Sequence, residues 1–442
     1  MKSIRALFPS IMYLCLLCLY IISGLDTEPA IAFTPLKADF STYDPNKQEI
    51  PGGDTIKVGL LEPFSGQSAA AGEISNWLLG WVVHDINSQG GIMVDGKMKK
   101  IQVIKADTAT QPVVAKRALQ RLILKDKVDL FVGTAGSHIA IIGNQMAEKY
   151  QKIFMNYSAY SVHLMNAQNF NRYTFRTCSN TDINAKALAY YFSKTSIRKF
   201  YILCQDYSYG QDFGASIKKA LEEFVPDAEI VGEVYHPLWL KDFAPYLSKI
   251  KASGAEMIIS SDWPPDSWNL MLAIDQMGMS IPVSGQFFDD PRMSQNLKNK
   301  KAGLGNTVVN FHLCNVETEL NSRFNKIFHD RYKDNEKVQI SWPSGVVGGV
   351  IGHFYWLFDV IQRAGTMNTE KIITTWEGDT YESFTGKLTM RKCDHQAVMD
   401  MFVSPLVSPS KWSKTGDGLG YQDHGIRIPS DIVISPCPEG LK

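Results

Sequence analysis

The side chains best suited to chemistry lie in six short loops, at residues 63–72, 133–138, 157–161, 206–210, 262–266 and 286–290. These loops are rich in Ser, Tyr, Trp, Phe, Gln and Asp. Such side chains stack and form hydrogen bonds, and few of them act as nucleophiles. Their composition therefore favours a site that binds a small molecule over one that transforms it.

Patterns that would indicate catalysis are weak by comparison. The sequence has no G-x-S-x-G nucleophile elbow, no G-x-x-x-x-G-K-[ST] phosphate loop and no H-E-x-x-H zinc pair. Asp289 and Asp290 are adjacent, so in an extended segment their carboxylates point apart and do not form a ready acid–base pair. We therefore predict no catalytic residue, no metal site and no cofactor.

The six loops follow predicted strands that alternate with helices. The strands of the first part are short apolar runs, at residues 56–61, 100–105, 128–133 and 153–156. The helices between them have apolar residues at helical spacing, at residues 72–88, 112–125 and 139–149. The same alternation recurs over residues 200–285, and residues 300–442 are less regular. This predicts an α/β fold with two parallel sheets, whose ligand sites lie beyond the carboxyl ends of the strands.

The first residues predict export. Lys2 and Arg5 precede an uncharged apolar run at residues 11–22, and Ala-Ile-Ala at residues 30–32 fits a cleavage site. The alternative is a membrane anchor, but the run is shorter than the roughly 20 residues that a spanning helix needs. We expect residues 1–32 to be a signal peptide, residues 33–53 to be a leader segment outside the packed elements, and the mature chain to be periplasmic.

Charge and cysteine content narrow the partners. Lys plus Arg and Asp plus Glu each number 45, so the formal net charge is zero and no basic face predicts nucleic-acid binding. Five cysteines follow the signal peptide, and none has C-x-x-C spacing. A disulfide between Cys393 and Cys437 would hold the C-terminal tail in an oxidising compartment. The alternative is that all five are small buried hydrophobic residues.

Several motifs occur in the order found in one transport family. They are KVGLLEPFSG at 57–66 with Gly72, DINSQGGI at 85–92, VDLFVG at 128–133, DYSYG at 206–210, DF at 242–243 with GA at 254–255, and DHQ at 394–396. The series resembles the leucine/isoleucine/valine-binding family of ABC transporter receptors. The resemblance implies a type I periplasmic-binding fold, with two Rossmann-like lobes joined by a three-crossing hinge that closes on the ligand. We place lobe 1 at about 54–176 and 311–376, and lobe 2 with the tail at about 177–310 and 377–442.

The resemblance also implies a set of ligand-binding residues. Ser137 takes the place of the serine that holds a ligand carboxylate, and Tyr209 that of the tyrosine that closes from the second lobe. The remaining expected contacts are Gln67, His138, Ser158, Ala159, Tyr160, Asp262, Trp263, Gln286 and Phe287.

Two departures from the family pattern bear on the ligand. Phe287 stands at about the place of the acid that pairs with an amino-acid ammonium, which leaves Asp262 or Asp289 as a substitute. Three alanines at residues 69–71 replace an aromatic side chain on the first loop and leave a roomier site.

We interpret the chain as a receptor, expected to be monomeric, that delivers an amino acid, an amide or an aromatic carboxylate to an ABC permease. The alternatives are a sensor subunit of a membrane signalling system and an exported hydrolase.

Overall fold

The computed structural model describes residues 33–290, 293, 297, 300–334, 341–413 and 416–441. The predicted signal peptide, residues 1–32, lies outside the described residues. Within them, no helix has the length and hydropathy needed to cross a bilayer.

Six strands form the first sheet: β1 (Thr55–Glu62), β2 (Ile92–Val94), β3 (Lys97–Asp107), β4 (Leu130–Gly133), β5 (Phe154–Asn156) and β6 (Thr174–Arg176). Their order is β2-β3-β1-β4-β5-β6, and only β2 is antiparallel to its neighbour. The helices between these strands are α1 (Ala69–Ser88), α2 (Pro112–Gln120) and α3 (Ser137–Tyr150). Strands β4 and β5 are buried throughout, which fits their continuous apolar sequence, because helices cover both faces of a parallel sheet.

Eight strands form the second sheet: β7 (Lys199–Gln205), β8 (Glu229–His236), β9 (Met257–Ser260), β10 (Val283–Gly285), β11 (Thr307–Asn310), β15 (Met401–Val407), β16 (Gly420–Tyr421) and β17 (Ile426–Ile428). Strands β8, β7, β9, β10 and β11 are adjacent and parallel, and β15 pairs antiparallel with β11. The helices of this lobe are α4 (Thr181–Phe192), α5 (Ser208–Phe224), α6 (Ala244–Ser253) and α7 (Asp266–Gln276).

Between β11 and β15 the chain returns to the first lobe. Three helices lie there, α8 (Glu319–Tyr332), α9 (Gly345–Ala364) and α10 (Thr369–Trp376), followed by a three-stranded sheet of β12 (Thr380–Ser383), β13 (Gly386–Met390) and β14 (Ala397–Val398). The chain thus crosses between the lobes three times, as the family resemblance implies. The small sheet, which the sequence analysis assigns to the second lobe, contacts α9 and bridges to Arg176 of β6 through Gln396. Its strands are too short for their pattern to indicate a lobe.

The segment of residues 33–53 packs against the first lobe, although its sequence lacks helical or strand periodicity. The carboxylate of Asp85 accepts backbone N–H groups of residues 36–38 at 2.6–3.1 Å. The Phe40 ring stacks on Trp81 with ring centroids 4.0 Å apart. Backbone hydrogen bonds and single aromatic rings hold the segment in place. Neither kind of contact produces a periodic pattern in the sequence. A short helix α11 (Ser430–Val433) lies near the other end of the chain.

Cys393 and Cys437 form a disulfide, with their Cα atoms 6.2 Å apart. The remaining cysteines of the described chain, Cys178, Cys204 and Cys314, are free and buried. Burial raises the pKa of Cys178 and of Cys204 to about 12, so both remain thiols near neutral pH.

Candidate functional site

A cleft lies between the two lobes, at the carboxyl ends of the strands of both sheets. It encloses about 1220 Å³ of space free of protein atoms, including the part open to solvent. Each of the six loops singled out from the sequence contributes lining residues. This placement follows from the two parallel sheets, because both direct their carboxyl ends toward the same opening.

The first-lobe wall is made of small and hydroxyl side chains. Gln67, Ala70 and Ala71 line it at the start of α1, and Ser137 lines it at the start of α3. The hydroxyl oxygen of Ser137 accepts a hydrogen bond from the backbone N–H of Ser161 at 3.2 Å. The wall therefore offers polar contacts at its edges and room between them.

A buried carboxyl group, that of Glu62 at the end of β1, lies behind the floor of the cleft. It accepts hydrogen bonds from the Tyr157 hydroxyl and from the Ala135 backbone N–H, the latter at 2.9 Å. The hydroxyl of Ser75 is a further donor to it. Burial raises the pKa of Glu62 to about 7, because these neutral donors offset the cost of a buried charge only in part. Tyr157, Ala135 and Ser75 all line the cleft, so Glu62 lies directly behind its surface.

Aromatic rings from both lobes meet across the cleft. Tyr160 of the first lobe lies 6.0 Å from Tyr209 and 5.9 Å from Phe287 of the second, measured between ring centroids. Tyr207 accepts a hydrogen bond from Trp263 Nε1 at 2.9 Å. All five rings line the cleft and present flat apolar faces on which a ring or a branched chain can pack.

Tyr209 reaches this position because a glycine follows it. A Cβ atom on Gly210 would lie 1.8 Å from the carbonyl oxygen of Gln205. Only glycine allows α5 to begin so close to the end of β7. The D-x-x-Y-G pattern thus couples a close helix–strand approach to the placement of a tyrosine in the cleft.

Buried hydroxyl groups of the cleft lining, among them those of Ser158 and Tyr209, lack hydrogen-bond partners among the described residues. The Ser158 and Tyr209 hydroxyl oxygens are inaccessible to water and have no partner among the described residues. Buried polar atoms in folded proteins are nearly always paired, so these groups are available to a ligand.

The charges of the lining are acidic. Among the lining residues that the structure describes, Asp289 and Asp290 are the charged ones, and Lys, Arg and His are absent. The Oδ2 atom of Asp289 accepts hydrogen bonds from the Tyr421 hydroxyl and from the Gly345 backbone N–H, the latter at 3.0 Å. Burial raises the pKa of Asp289 to about 6. Asp289 lines the cleft, and its Oδ1 atom has no hydrogen-bond partner among the described residues.

Five helices begin at the cleft, namely α1, α3, α5, α7 and α9, and residues at or next to each start line it. The first turn of a helix has unpaired backbone N–H groups and carries partial positive charge. A carboxylate can therefore be held at this site without a cationic side chain. The cleft combines donors for an anion, apolar ring faces and an acid.

Seven of the eleven expected contact residues line the cleft: Gln67, Ser137, Ser158, Tyr160, Tyr209, Trp263 and Phe287. Ala159 is buried in a small apolar cluster beside it. His138 contacts Tyr207 across the lobes, with ring centroids 5.5 Å apart, but does not line the cleft.

The other two expected residues lie behind the surface. The Gln286 side chain is buried and accepts a hydrogen bond from Asn184 at 3.1 Å. Asp262 is buried against His236 and is not part of the lining.

The sequence analysis missed one whole side of the cleft. Ser344, Val346, Val347 and Val350, at the start of α9, line it. The glycine-rich segment at 345–352 packs closely against the residues that follow β11, since Cβ atoms added to Gly348 and Gly349 would meet His312 and Phe311 at 2.0 Å. The valines between those glycines were the signal available from the sequence.

Two parallel-stranded lobes around a binding cleft define a two-lobed solute-binding protein. Residues 55–411 match the sequence profile of the family described as periplasmic binding protein, and the chain belongs to this family. The family consists of solute-binding proteins and not of enzymes. The expected fold class and the resemblance to leucine/isoleucine/valine-binding receptors are confirmed.

Named relatives share most of the chain. It is 24% identical over 384 residues to Leu/Ile/Val-binding protein homolog 4 of Brucella abortus (strain 2308), covering 83% of this chain and 88% of that protein. It is 22% identical over 344 residues to the leucine-, isoleucine-, valine-, threonine-, and alanine-binding protein of Pseudomonas aeruginosa, covering 76% and 85%.

Solved structures share the fold. A solute-binding protein of an ABC transporter from Rhodopseudomonas palustris BisB5, in complex with 3,4-dihydroxybenzoic acid, has a TM-score of 0.74 at 21% identity, covering 87% of this chain and 99% of that one. The leucine-, isoleucine-, valine-, threonine-, and alanine-binding protein from Brucella ovis, in a closed conformation, has a TM-score of 0.74 at 24% identity, covering 88% and 99%.

Proposed function

We propose that this chain is a periplasmic receptor that captures a small organic solute between its lobes and delivers it to an ABC permease. The solute carries a carboxylate or an amide group and an apolar or aromatic body. It belongs to the classes expected from the sequence, an amino acid, an amide or an aromatic carboxylate. The observation that carries the proposal is the cleft itself, in which helix starts, unpaired hydroxyls and aromatic faces converge.

The two ends of such a solute have different partners in the cleft. The carboxylate would lie at the first-lobe wall, near Ser137, Ser158 and the start of α3, where hydroxyl and backbone N–H donors are available. The apolar body would pack between Tyr160, Tyr209 and Phe287. Both lobes then contact the same molecule, so binding favours the arrangement in which the lobes meet.

Asp289 favours a solute that also brings a hydrogen-bond donor. An ammonium group, an amide N–H or a phenolic hydroxyl could each donate to its Oδ1 atom, whereas plain benzoate has no donor to offer. The relative named as a leucine-, isoleucine-, valine-, threonine-, and alanine-binding protein and the solved structure in complex with 3,4-dihydroxybenzoic acid both have ligands with such donors. We therefore expect leucine, phenylalanine and hydroxybenzoates to bind more tightly than benzoate.

A thermal-shift screen of the mature protein, residues 33–442, tests the solute classes. The panel comprises leucine, phenylalanine, their amides, benzoate, 4-hydroxybenzoate and 3,4-dihydroxybenzoate. A solute at 100 times its Kd stabilises the folded state by about 2.7 kcal/mol, which raises the melting temperature by several degrees. A panel without any shift would overturn the proposed solute classes.

Calorimetry on a matched pair of variants then locates the site. Ser158→Ala removes an unpaired cleft hydroxyl, and Ser248→Ala removes an exposed hydroxyl on α6. We expect Ser158→Ala to weaken binding of the solute identified in the screen about ten-fold. Ser248→Ala should leave the affinity for that solute unchanged. Equal affinities in both variants would mean that the solute carboxylate does not bind at Ser158.

Delivery is tested separately. Cells lacking this chain should lose uptake of the labelled hit solute and regain it on complementation. Unchanged uptake in the deletion strain would argue against a transport role while leaving solute binding intact.

A further inference from the structure

The end of the chain extends past the part that defines the family. The family match ends at residue 411, and the following residues form a turn and β16, which pairs with β15 through Tyr421 and Leu406. We call the described residues 410–413 and 416–425 the tail loop. It is anchored at its base by the Ser410 hydroxyl, which donates to the Tyr421 carbonyl oxygen. The tail loop is thus a defined part of the second lobe.

Tyr421 connects the tail loop to the cleft. Its side chain is buried and its hydroxyl donates to Oδ2 of Asp289, which is one of the two acids of the lining. The same Oδ2 atom accepts the backbone N–H of Gly345, in the first turn of α9 in the first lobe. Two donors from opposite lobes therefore fix one oxygen of Asp289, a residue of the cleft lining, and neither of them occupies the other oxygen, Oδ1.

A second contact joins the tail loop to the first lobe. Trp412 lies edge-on to Trp342, with ring centroids 5.0 Å apart. Trp342 stacks on His329 of α8 at 4.0 Å. The Tyr421–Asp289 contact and the Trp412–Trp342 contact of the tail loop thus both lie beside the start of α9, where the lobes meet.

We propose that the tail loop is a specificity element of the binding site, in which Tyr421 positions the Asp289 carboxylate to accept a donor group of the solute. This inference rests on the proposed function for the identity of the solute. With Oδ2 occupied, the carboxylate presents a single oriented acceptor, Oδ1. Solutes that place an ammonium, amide or phenol group there are selected over analogues that lack one.

Tyr421→Phe tests this by removing one oxygen atom. The affinities of the wild type and the variant are measured for leucine and 4-methylpentanoate, and for 4-hydroxybenzoate and benzoate. We expect Tyr421→Phe to weaken binding of the donor-bearing solute about ten-fold and to leave its analogue nearly unchanged. An equal loss for both members of a pair, or no loss for either, overturns the specificity role.

Tyr235→Phe is the matched control, since the Tyr235 hydroxyl also donates to a carboxylate, Glu233, at 2.6 Å on the exposed face of the second lobe. It should change no solute affinity. A change as large as that of Tyr421→Phe would assign the effect to lobe stability.

A measurement without solute separates this inference from the proposed function. In the solute-free protein, NMR titration of ¹³C-labelled aspartate carboxyls, assigned with Asp289→Asn, gives the pKa of Asp289. Tyr421→Phe should raise that pKa, because the charged carboxylate loses a donor. An unchanged pKa would overturn the positioning role even where no solute in the panel binds. A raised pKa together with no binding would support the positioning role of Tyr421 and contradict only the proposed solute classes.

Discussion

His236 holds the carboxylate of Asp262 inside the second lobe: both carboxylate oxygens lie 3.0 Å from His236 Nε2, and neither side chain is exposed. The hydrogen bond and the charge of Asp262 raise the pKa of His236 even though burial acts to lower it. Burial raises the pKa of Asp262. The sequence alone left Asp262 or Asp289 as the substitute for the missing ammonium partner, and this pairing separates them, because Asp262 already has a partner in His236.

We therefore expect Asp262→Asn to act on stability and not on solute binding. Removing one member of a buried ion pair costs about 3 kcal/mol of unfolding free energy, measurable by chemical denaturation. Solute affinity should stay within about two-fold of the wild type. Asp289→Asn is the comparison and should lower the affinity for donor-bearing solutes about ten-fold. The reverse pattern would make Asp262 the solute's partner.

Glu62 makes stability depend on pH. Its pKa is about 7 in the folded state against an ordinary value of 4.5. The folded protein thus binds a proton more tightly than the unfolded chain, so the contribution is full below pH 4.5 and is lost as pH rises through 7. Between pH 5 and pH 8, Glu62→Gln should lose about 2.5 kcal/mol less unfolding free energy than the wild type does.

Chemical denaturation at pH 5 and pH 8 measures this difference. Glu222→Gln, at an exposed site on α5, is the control and should follow the wild type. Parallel pH curves for Glu62→Gln and the wild type would show that the Glu62 carboxyl is ionised at neutral pH in the folded state.

The small residues at the start of α1 set the size of the site. Ala71 lines the cleft and Ala69, two positions earlier and similarly half-buried, does not. Ala71→Phe should lower the affinity for phenylalanine or dihydroxybenzoate at least ten-fold, because the ring fills the space between the lobes, and should affect the smallest hits less. Ala69→Phe should change neither by more than about two-fold. A uniform effect of both variants, seen by calorimetry, would mean that helix packing and not cleft volume is altered.

The disulfide should stabilise the chain without shaping the cleft. Cys393 and Cys437 are separated by 44 residues, and a loop of that length corresponds to about 4 kcal/mol of unfolding free energy in the chain-entropy description. Replacing both with serine should lower stability by up to that amount and leave solute affinity unchanged. Denaturation with and without reductant checks it, since the double variant should no longer respond to reductant.

Much of the architecture could be predicted because buried parallel strands and amphipathic helices leave strong local patterns. The run at residues 56–61 falls within β1, and the helix predicted at 72–88 falls within α1. In such folds the ligand lies beyond the carboxyl ends of the strands. The same pattern therefore predicted the six loops that line the cleft.

The rest depends on contacts between distant parts of the chain. Asp289 gains its role from Tyr421, 132 residues further on, and Glu62 from Tyr157, 95 residues further on. No local spacing encodes such pairs. The packing of residues 33–53 also depends on a contact that no local spacing encodes. The carboxylate of Asp85 accepts the backbone N–H groups of three residues that have different side chains.

The burial of the free cysteines makes the protein suited to site-specific fluorescent labelling. Cys178, Cys204 and Cys314 are enclosed, and the other two cysteines of the described chain are joined to each other. A thiol-reactive dye should therefore label the folded mature protein only at a cysteine introduced on its surface. Gln67, exposed at the mouth of the cleft, offers such a position, and a dye there would report solute capture as a change in emission.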